Sequence, residues 1–539
     1  MGTIANTRRI EPGWIDWLRR ELAPSHERKV RTLILVFGVV LCVIFSMALQ
    51  VPQLALSAYM VFFISKENKI VTTLVGILGL IGMTIGIVVS LLLYKLTYGY
   101  PELRVPSMAV ILFLGMYLSR VLVLGPLGFI IGFIIAVTQS IGELLPSPEL
   151  VVRAILWIWV ALAYAVILTV VLNGIFLPEP TGPAPPKPKG FLVPNAFTNP
   201  AHARFALKVT LATMICYLLY TAVDWFGIHT AFITCVFIAL ESTGATFRKG
   251  ILRGVGCIIG GLLALFSIVF LIPHMETIVS LVFLVACVSA VAAWVATGTE
   301  RIAYAGLQIA FAFFYGLFPG FNGFAPDTDL TNVRNRVVGI LLGLIVTAVV
   351  FHYVWPERAI DRLRSVLREA FGQLARLLAI PNPDSPLTDA KPKAAAFLRE
   401  ISRELGQAQR EAELSAFELA DPRNRESASL VNLRNTLSDV ERMLALATSL
   451  TNDSAWREWQ QLPPEAQKTE SELRVSIAKY FDSAAKGDIS ANANAHLSNA
   501  LARWTETIHR LSLEGDRLRL VSQIAAESQR LGLRHPVQR

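Results

Sequence analysis

The chain has 539 residues, of which 54% are hydrophobic and only 17% charged, with a mean hydropathy of +0.52. That balance excludes an ordinary soluble enzyme and places the chain among membrane proteins. Lys and Arg nearly balance Asp and Glu after Trp355, so almost all of the net charge of +9 sits in residues 1–355. There it lies in loops between apolar runs, the pattern of cytoplasmic loop anchoring and not of a nucleic-acid surface.

Residues 1–30 are mostly polar and basic, with no small-residue cleavage pattern after the first apolar run, so no signal peptide is expected. Trp14, Trp17 and Leu18 beside Arg19 and Arg20 suit a short helix at the membrane interface or, equally, an ordinary short cytoplasmic helix. A bilayer core about 30 Å thick takes about 20 apolar residues per helix. Runs of that order, some shorter, lie near 31–49, 51–65, 70–94, 105–122, 124–142 and 150–177. They resume near 205–223, 227–241, 250–272, 276–296, 302–318 and 335–355. The second run of each half is short, so twelve spans is the best count.

The halves echo one another. Asn68-Lys69-Ile70-Val71-Thr72-Thr73-Leu74-Val75-Gly76 answers Arg248-Lys249-Gly250-Ile251-Leu252-Arg253-Gly254-Val255-Gly256, and Pro178-Glu179 answers Pro356-Glu357. We expect two six-segment transmembrane repeats, 31–177 and 205–355, joined by a Pro-rich cytoplasmic linker over 178–204. Beyond Trp355, Ile360, Leu363, Leu367, Phe371, Leu374 and Leu378 recur at helical spacing. Similar patterns near 393–420, 426–450, 465–485 and 492–532 predict a cytoplasmic helical domain over 356–539. The fold class expected is thus an all-α membrane protein with two repeats and a C-terminal cytoplasmic helical bundle.

Lys and Arg near the span ends set the orientation. Arg8, Arg9, Arg19, Arg20, Arg28, Lys29 and Arg31 put the amino terminus in the cytoplasm, with Lys66, Lys69, Lys187, Lys189, Arg248, Lys249 and Arg253 on the same side. Glu143, Glu149, Asp327 and Asp329 fall opposite, while Lys95, Arg104, Arg334 and Arg336 break the rule. Both termini are expected inside.

Catalytic motifs are missing. The segment Gly244-Ala-Thr-Phe-Arg-Lys-Gly250 has its glycines and lysine in the wrong order for a phosphate cradle, and no GxSxG or HExxH occurs. The five cysteines form no CxxC, and the eight histidines show no ligand spacing. We expect no enzyme, cofactor or metal. Uphill transport would draw on an ion gradient or a partner.

The segment Ala239-Leu-Glu-Ser-Thr-Gly-Ala-Thr-Phe-Arg-Lys-Gly250, with Arg253, Gly254 and Gly256, combines with Arg301-Ile-Ala-Tyr-Ala-Gly-Leu-Gln-Ile-Ala-Phe-Ala-Phe-Phe and Arg336-Val-Val-Gly-Ile-Leu-Leu-Gly. Together they resemble the fusaric acid resistance family of bacterial inner-membrane proteins, which includes aromatic acid exporters. The resemblance is close in the second half and looser in the first. It implies efflux of aromatic carboxylates or related anions driven by the proton-motive force. It also implies a homodimer, a periplasmic adaptor and, often, an outer-membrane channel. Family members often carry a large cytoplasmic region after each half, and here the central one shrinks to a linker. Malate-activated plant anion channels look like distant relatives, which keeps a passive channel as an alternative. Hydrophobic drugs or lipids as cargo, and a non-transporting scaffold, are further alternatives.

The residues themselves allow definite roles. Arg153 and Arg336 open the last span of their halves, and as a symmetric pair could grip carboxylates with bidentate donors; the plainer role is to reach the headgroups. Arg248, Lys249 and Arg253 could concentrate anions at the cytoplasmic mouth, although the positive-inside rule already accounts for much of that cluster. Glu241 could hold the turn by pairing with Arg248 or exchange protons. Asp224 and His229 flank a turn on the outer side and are the other proton-coupling candidates, with capping the commoner role. Gly76, Gly79, Gly82, Gly86, Gly254, Gly256, Gly260 and Gly261 suit close helix packing, with sliding contacts as the sharper reading. Phe311, Phe313, Phe314 and Tyr315 could stack on an aromatic substrate or simply pack.

Overall fold

The computed structural model describes residues 14–142, 144, 145, 147–177, 190–318, 326, 328–379, 387–418, 426–486 and 491–534. Arg8, Arg9, Glu143, Pro178, Glu179, Lys187, Lys189 and Asp327 lie outside them. The regular structure of the described residues is helical, with no strand and only an isolated bridge between Leu122 and Leu192. Two compact units emerge. One comprises the residues up to Glu241 together with Thr246–Pro356, and the other Ser242–Ala245 together with the residues from Glu357 onward.

In the first unit a short helix, α1 (Trp14–Glu21), precedes α2 (His26–Ala48), α3 (Leu54–Ile64), α4 (Lys69–Thr97), α5 (Pro101–Val121), α6 (Gly125–Ser140) and α7 (Pro148–Phe176). The chain continues through α8 (Pro200–Ala222), α9 (Thr230–Ile238), α10 (Thr243–Phe266), α11 (Ile278–Ala296), α12 (Ala303–Leu317) and α13 (Thr331–Tyr353). Eight of these are long and apolar enough to cross a membrane, and the protein is an all-α, multi-pass membrane protein. The remaining apolar helices, α3, α6, α9 and α12, are shorter. Sequence patterning anticipates a short second run in each half but not a short fifth one.

The short helices owe their place to being apolar all round, which buries a helix in protein instead of laying one face on lipid. Eight of the eleven residues of α3 are buried, and seven of the nine in α9. The long helices behave otherwise. Ile70, Leu74, Ile77, Ile81, Ile85, Val88 and Leu92 form an exposed apolar stripe along α4, and Ile251, Val255, Ile258, Leu262 and Leu265 do the same on α10. The halves also cross: α2 packs on α11, and α8 packs on α5.

Glycines let the inner helices approach. Gly115 of α5 meets Gly132 of α6 backbone to backbone, where a Cβ on either would lie 2.5 Å from the other's Cα. Gly256 of α10 meets α12 equally closely, with Ala305 O 2.6 Å from an added Cβ. One side of the unit is fastened by Arg28, which donates through Nη1 to Glu21 O (2.7 Å) and through Nε to Trp294 O (3.0 Å). Arg301 pairs with Glu21 at 3.7 Å. The described residues of the expected linker lie along the end of α5, with Val193 N–H donating to Val121 O (2.9 Å), and α8 starts at Pro200, inside that span.

Several boundaries differ from the sequence reading. Helix α10 begins at Thr243, so Arg248 and Lys249 lie on its first turns and not in a loop before it. Arg104 is only 3% exposed and tucked beside Gly142, where a Cβ would come 2.5 Å from its guanidinium, which explains its departure from the loop-charge rule.

The second unit contains α14 (Ala359–Ala379), α15 (Leu387–Leu414), α16 (Glu426–Leu450), α17 (Asp453–Gln461), α18 (Pro464–Ala485), α19 (Ala491–Arg510) and α20 (Asp516–Arg534). The run expected over 492–532 breaks in two at Leu511–Gly515, where Ser512 adopts φ +46°. Leu363, Leu367, Phe371 and Leu374 of α14 share a core with Ile401, Leu473, Ile477, Phe481 and Trp504. Arg517 donates to the Glu470 carboxylate from Nε (3.1 Å) and Nη2 (2.6 Å), a fully buried pair.

Two outcomes follow. Gly132→Val should force α5 from α6 and lower the thermal midpoint, at a cost of about 1–3 kcal/mol, whereas Gly174→Ala, with nothing within 4 Å of its added Cβ, should leave that midpoint in place. The second concerns Glu404, 6% exposed, whose Oε2 has no hydrogen-bond partner. Burial, then Glu369 and Glu400, push its carboxyl up to about 7 against the opposing pull of Arg403. The folded state therefore holds the proton more tightly, so stability is full at about pH 4.5 and falls as pH rises towards 7. Glu404→Gln should slow hydrogen exchange in α14 and α15 at pH 8, with little effect at pH 4.5.

Candidate anion site in the membrane unit

Arg253 and Arg336 reach into the first unit and, among the described residues, meet no carboxylate. Arg253 projects from the middle of α10 and is 1% exposed; Arg336, near the start of α13, is 8% exposed. A charge at mid-bilayer costs about 2.5–3.5 kcal/mol on insertion scales, so such residues must find protein or water. Arg253 finds neutral acceptors: Nε donates to Thr234 Oγ1 (3.1 Å), and Nη1 donates to Gln308 Oε1 (2.8 Å) and Tyr304 OH (3.3 Å). Its Nη2 is buried and without a hydrogen-bond partner.

Arg336 is held by aromatic faces. Its Cζ lies 4.1 Å from the ring centroids of both Phe311 and Tyr315, and its Nε has no hydrogen-bond partner. Stacked rings attract the cation, by about 0.5–2 kcal/mol each, but supply no negative charge. Arg253 shares the Phe311 ring at 5.6 Å. Among the described residues neither guanidinium has an ion-pair partner. Charge-assisted donors of this kind are vacant for an acceptor.

Both arginines line one cavity of about 400 Å³. The second half provides its polar edge, with His229, Thr230, Asn332 and Asn335, and Tyr59 of the first half lies against Phe311 with ring centroids 4.5 Å apart. Most of the remaining wall is apolar and comes from α3, α4, α6 and α7, including Met60, Met83, Ile134, Leu162 and Val166. The site can therefore hold an anion with a sizeable apolar body. No Asp or Glu lines it among the described residues.

The sequence-derived candidates separate. Arg253, Arg336 and His229 come together here, and the His229 Nδ1–H donates to Phe226 O (3.2 Å). Arg153 does not join Arg336: it is exposed and pairs with Glu149 at 3.0 Å, so the two arginines that open the last helices have unlike settings. Arg248 donates to Glu300 O at 3.5 Å. Lys249 sits over the Tyr304 ring at 5.0 Å. Glu241 forms an ion pair with Arg120, a partner invisible in sequence because 121 residues separate them. Asp224 is exposed in a turn with φ +52° and does not line the cavity. Of the aromatic cluster, Phe311 and Tyr315 face the cavity, while Phe313 and Phe314 are packed in the core. Thr234, Tyr304 and Gln308 are the residues that sequence reasoning missed. A neutral polar side chain on an apolar helix was the only available signal.

A profile of the fusaric acid resistance protein family matches residues 198–534. Multidrug resistance protein MdtO of Escherichia coli strain K12 is 38% identical over 201 residues, 37% of this chain and 29% of that protein. The proteins of the same name from Escherichia coli O157:H7 and Shigella flexneri are 39% and 38% identical over the same shares. The alignments thus span 29% of those relatives' length.

Arg336→Lys keeps the charge but loses the planar group that fills the slot between Phe311 and Tyr315. Affinity of the purified chain for a fluorescent aryl carboxylate should fall about tenfold, as measured by titration in detergent. An unchanged affinity would show that the rings do not shape the site.

Proposed function

The chain belongs to the fusaric acid resistance protein family, and from that premise we propose that its membrane unit exports amphipathic organic anions, aromatic carboxylates first among them. The observation that carries this reading is the pair of buried guanidiniums, Arg253 and Arg336, which meet no carboxylate among the described residues and are set in a largely apolar cavity. A carboxylate would neutralise what the fold leaves positive, and an aromatic body would take the place beside Phe311, Tyr315 and Tyr59. A cationic drug would be repelled there. An uncharged one would leave both guanidiniums unmet.

The wider proposal is an inner-membrane exporter of twelve spans in two repeats, with both termini and the second unit in the cytoplasm. It would work as a homodimer with a periplasmic adaptor and an outer-membrane channel, driven by the proton-motive force. Of the three proton-coupling candidates His229 is the one that lines the cavity; Glu241 and Asp224 would have to act from outside it. The lack of a carboxylate among the described lining residues favours one second reading, a passive anion channel, which needs a cationic path and no proton acceptor.

Proteoliposomes separate the two. Coupled export predicts uphill naphthoate movement that stops when ionophores collapse the pH gradient and potential. A channel predicts ohmic naphthoate current under voltage clamp. Under either reading Arg253→Gln should abolish flux and Arg153→Ala should leave it within about twofold, because exposed ion pairs contribute little. Full flux in Arg253→Gln would refute the site.

A further inference from the structure

A second cavity, of about 340 Å³, adjoins the first, and the Phe63, Phe129 and Phe237 side chains line both. Phe237 is the hub of that partition. Its ring meets Phe63 at 6.1 Å, Phe129 at 5.9 Å and Phe133 at 4.9 Å, each edge to face. The second cavity has its own charges: Arg120 from the end of α5, Glu241 from the turn after α9, and Lys249 from α10. Among the described lining residues two cations face one carboxylate, a net positive balance.

Its polar groups are incompletely paired. Arg120 stacks over Phe205 at 5.4 Å and gives Nη1 to Glu241, but its buried Nε has no hydrogen-bond partner. Lys249 lies over Tyr304, whose hydroxyl accepts from Arg253. One aromatic residue thus touches a cation of each chamber. Glu241 is half exposed, so it can leave Arg120 for water at little cost.

We propose that this chamber is a second anion station, in which the carboxylate of an aryl acid takes the place of Glu241 on Arg120 and meets Lys249 before passing the Phe237 partition to Arg253 and Arg336. Glu241 acts as a tethered competitor that keeps the station closed to weak binders. The station rests on the anion-export reading for the direction of travel, but its occupancy is tested independently.

The test is calorimetric titration of the purified full-length chain, in nanodiscs, with 1-naphthoate. Wild type should bind two molecules per chain. Arg336→Gln should leave one, and Lys249→Gln should weaken the other about tenfold. Glu241→Gln, which removes the competitor, should tighten the second station about tenfold. Damage to the fold cannot mimic that gain. A single wild-type site that Arg336→Gln removes and Glu241→Gln leaves unchanged would overturn the second station and spare the first. Two wild-type sites with weaker binding in Glu241→Gln would overturn the competitor role. No naphthoate binding by wild type would overturn both the station and the anion-export reading.

Discussion

An uncompensated positive charge inside an apolar helical unit is the constraint on which the rest depends. Arg253 and Arg336 are buried, share the Phe311 ring and have no acidic partner among the described residues. Leaving one member of an ion pair alone in a protein interior is costly, typically several kcal/mol. The fold offsets part of that cost with neutral oxygens from Thr234, Gln308 and Tyr304 and with the faces of Phe311 and Tyr315. None of these removes the charge. What remains is a standing preference for an anion, maintained by a surrounding that stays short of neutrality.

The short helices make that arrangement feasible. Residues on the lipid-facing side of a spanning helix cannot also build an interior site. Because α3, α9 and α12 are buried, Tyr59, Thr234, Gln308 and Phe311 can all point into protein. The long α4 and α10 carry the exposed apolar stripes, and α10 turns Arg253 away from its own stripe. Close contacts such as Gly256 against Ala305 bring α10 near enough to α12 for Arg253 to reach Gln308.

Much of this was legible in the sequence, for identifiable reasons. Apolar runs located the helices because bilayer thickness fixes their length, and the family resemblance rested on local motifs in the second half. Arg336 stood out as a charge at the start of an apolar run, and Arg253 as one of a cationic cluster. Their convergence was not legible: Arg253 read as part of a loop cluster because Arg248 and Lys249 precede it, yet α10 starts at Thr243. Nor could the Arg120–Glu241 pair be found, since α5 and the α9–α10 turn meet only through tertiary packing. The symmetric pairing of Arg153 with Arg336 was a natural inference from duplicated sequence. The surroundings of the two residues differ, and it is surroundings that set a charge's role.

That difference has a physical logic. Under the register that places Lys69 over Lys249, Arg253 falls over Thr73, and the first half provides mostly apolar wall where the second provides charge. Four buried guanidiniums would repel one another and multiply the burial cost. Restricting the cations to one half keeps the cost at two charges and gives the cavity a polar side and an apolar side. An amphipathic anion has those same two sides. The first half still contributes Arg120, placed at the far face of the Phe237 partition, where it is paired and only partly buried. Arg120 Nε, Arg253 Nη2 and Arg336 Nε are each buried without a hydrogen-bond partner, so unmet positive charge lies on both sides of that partition.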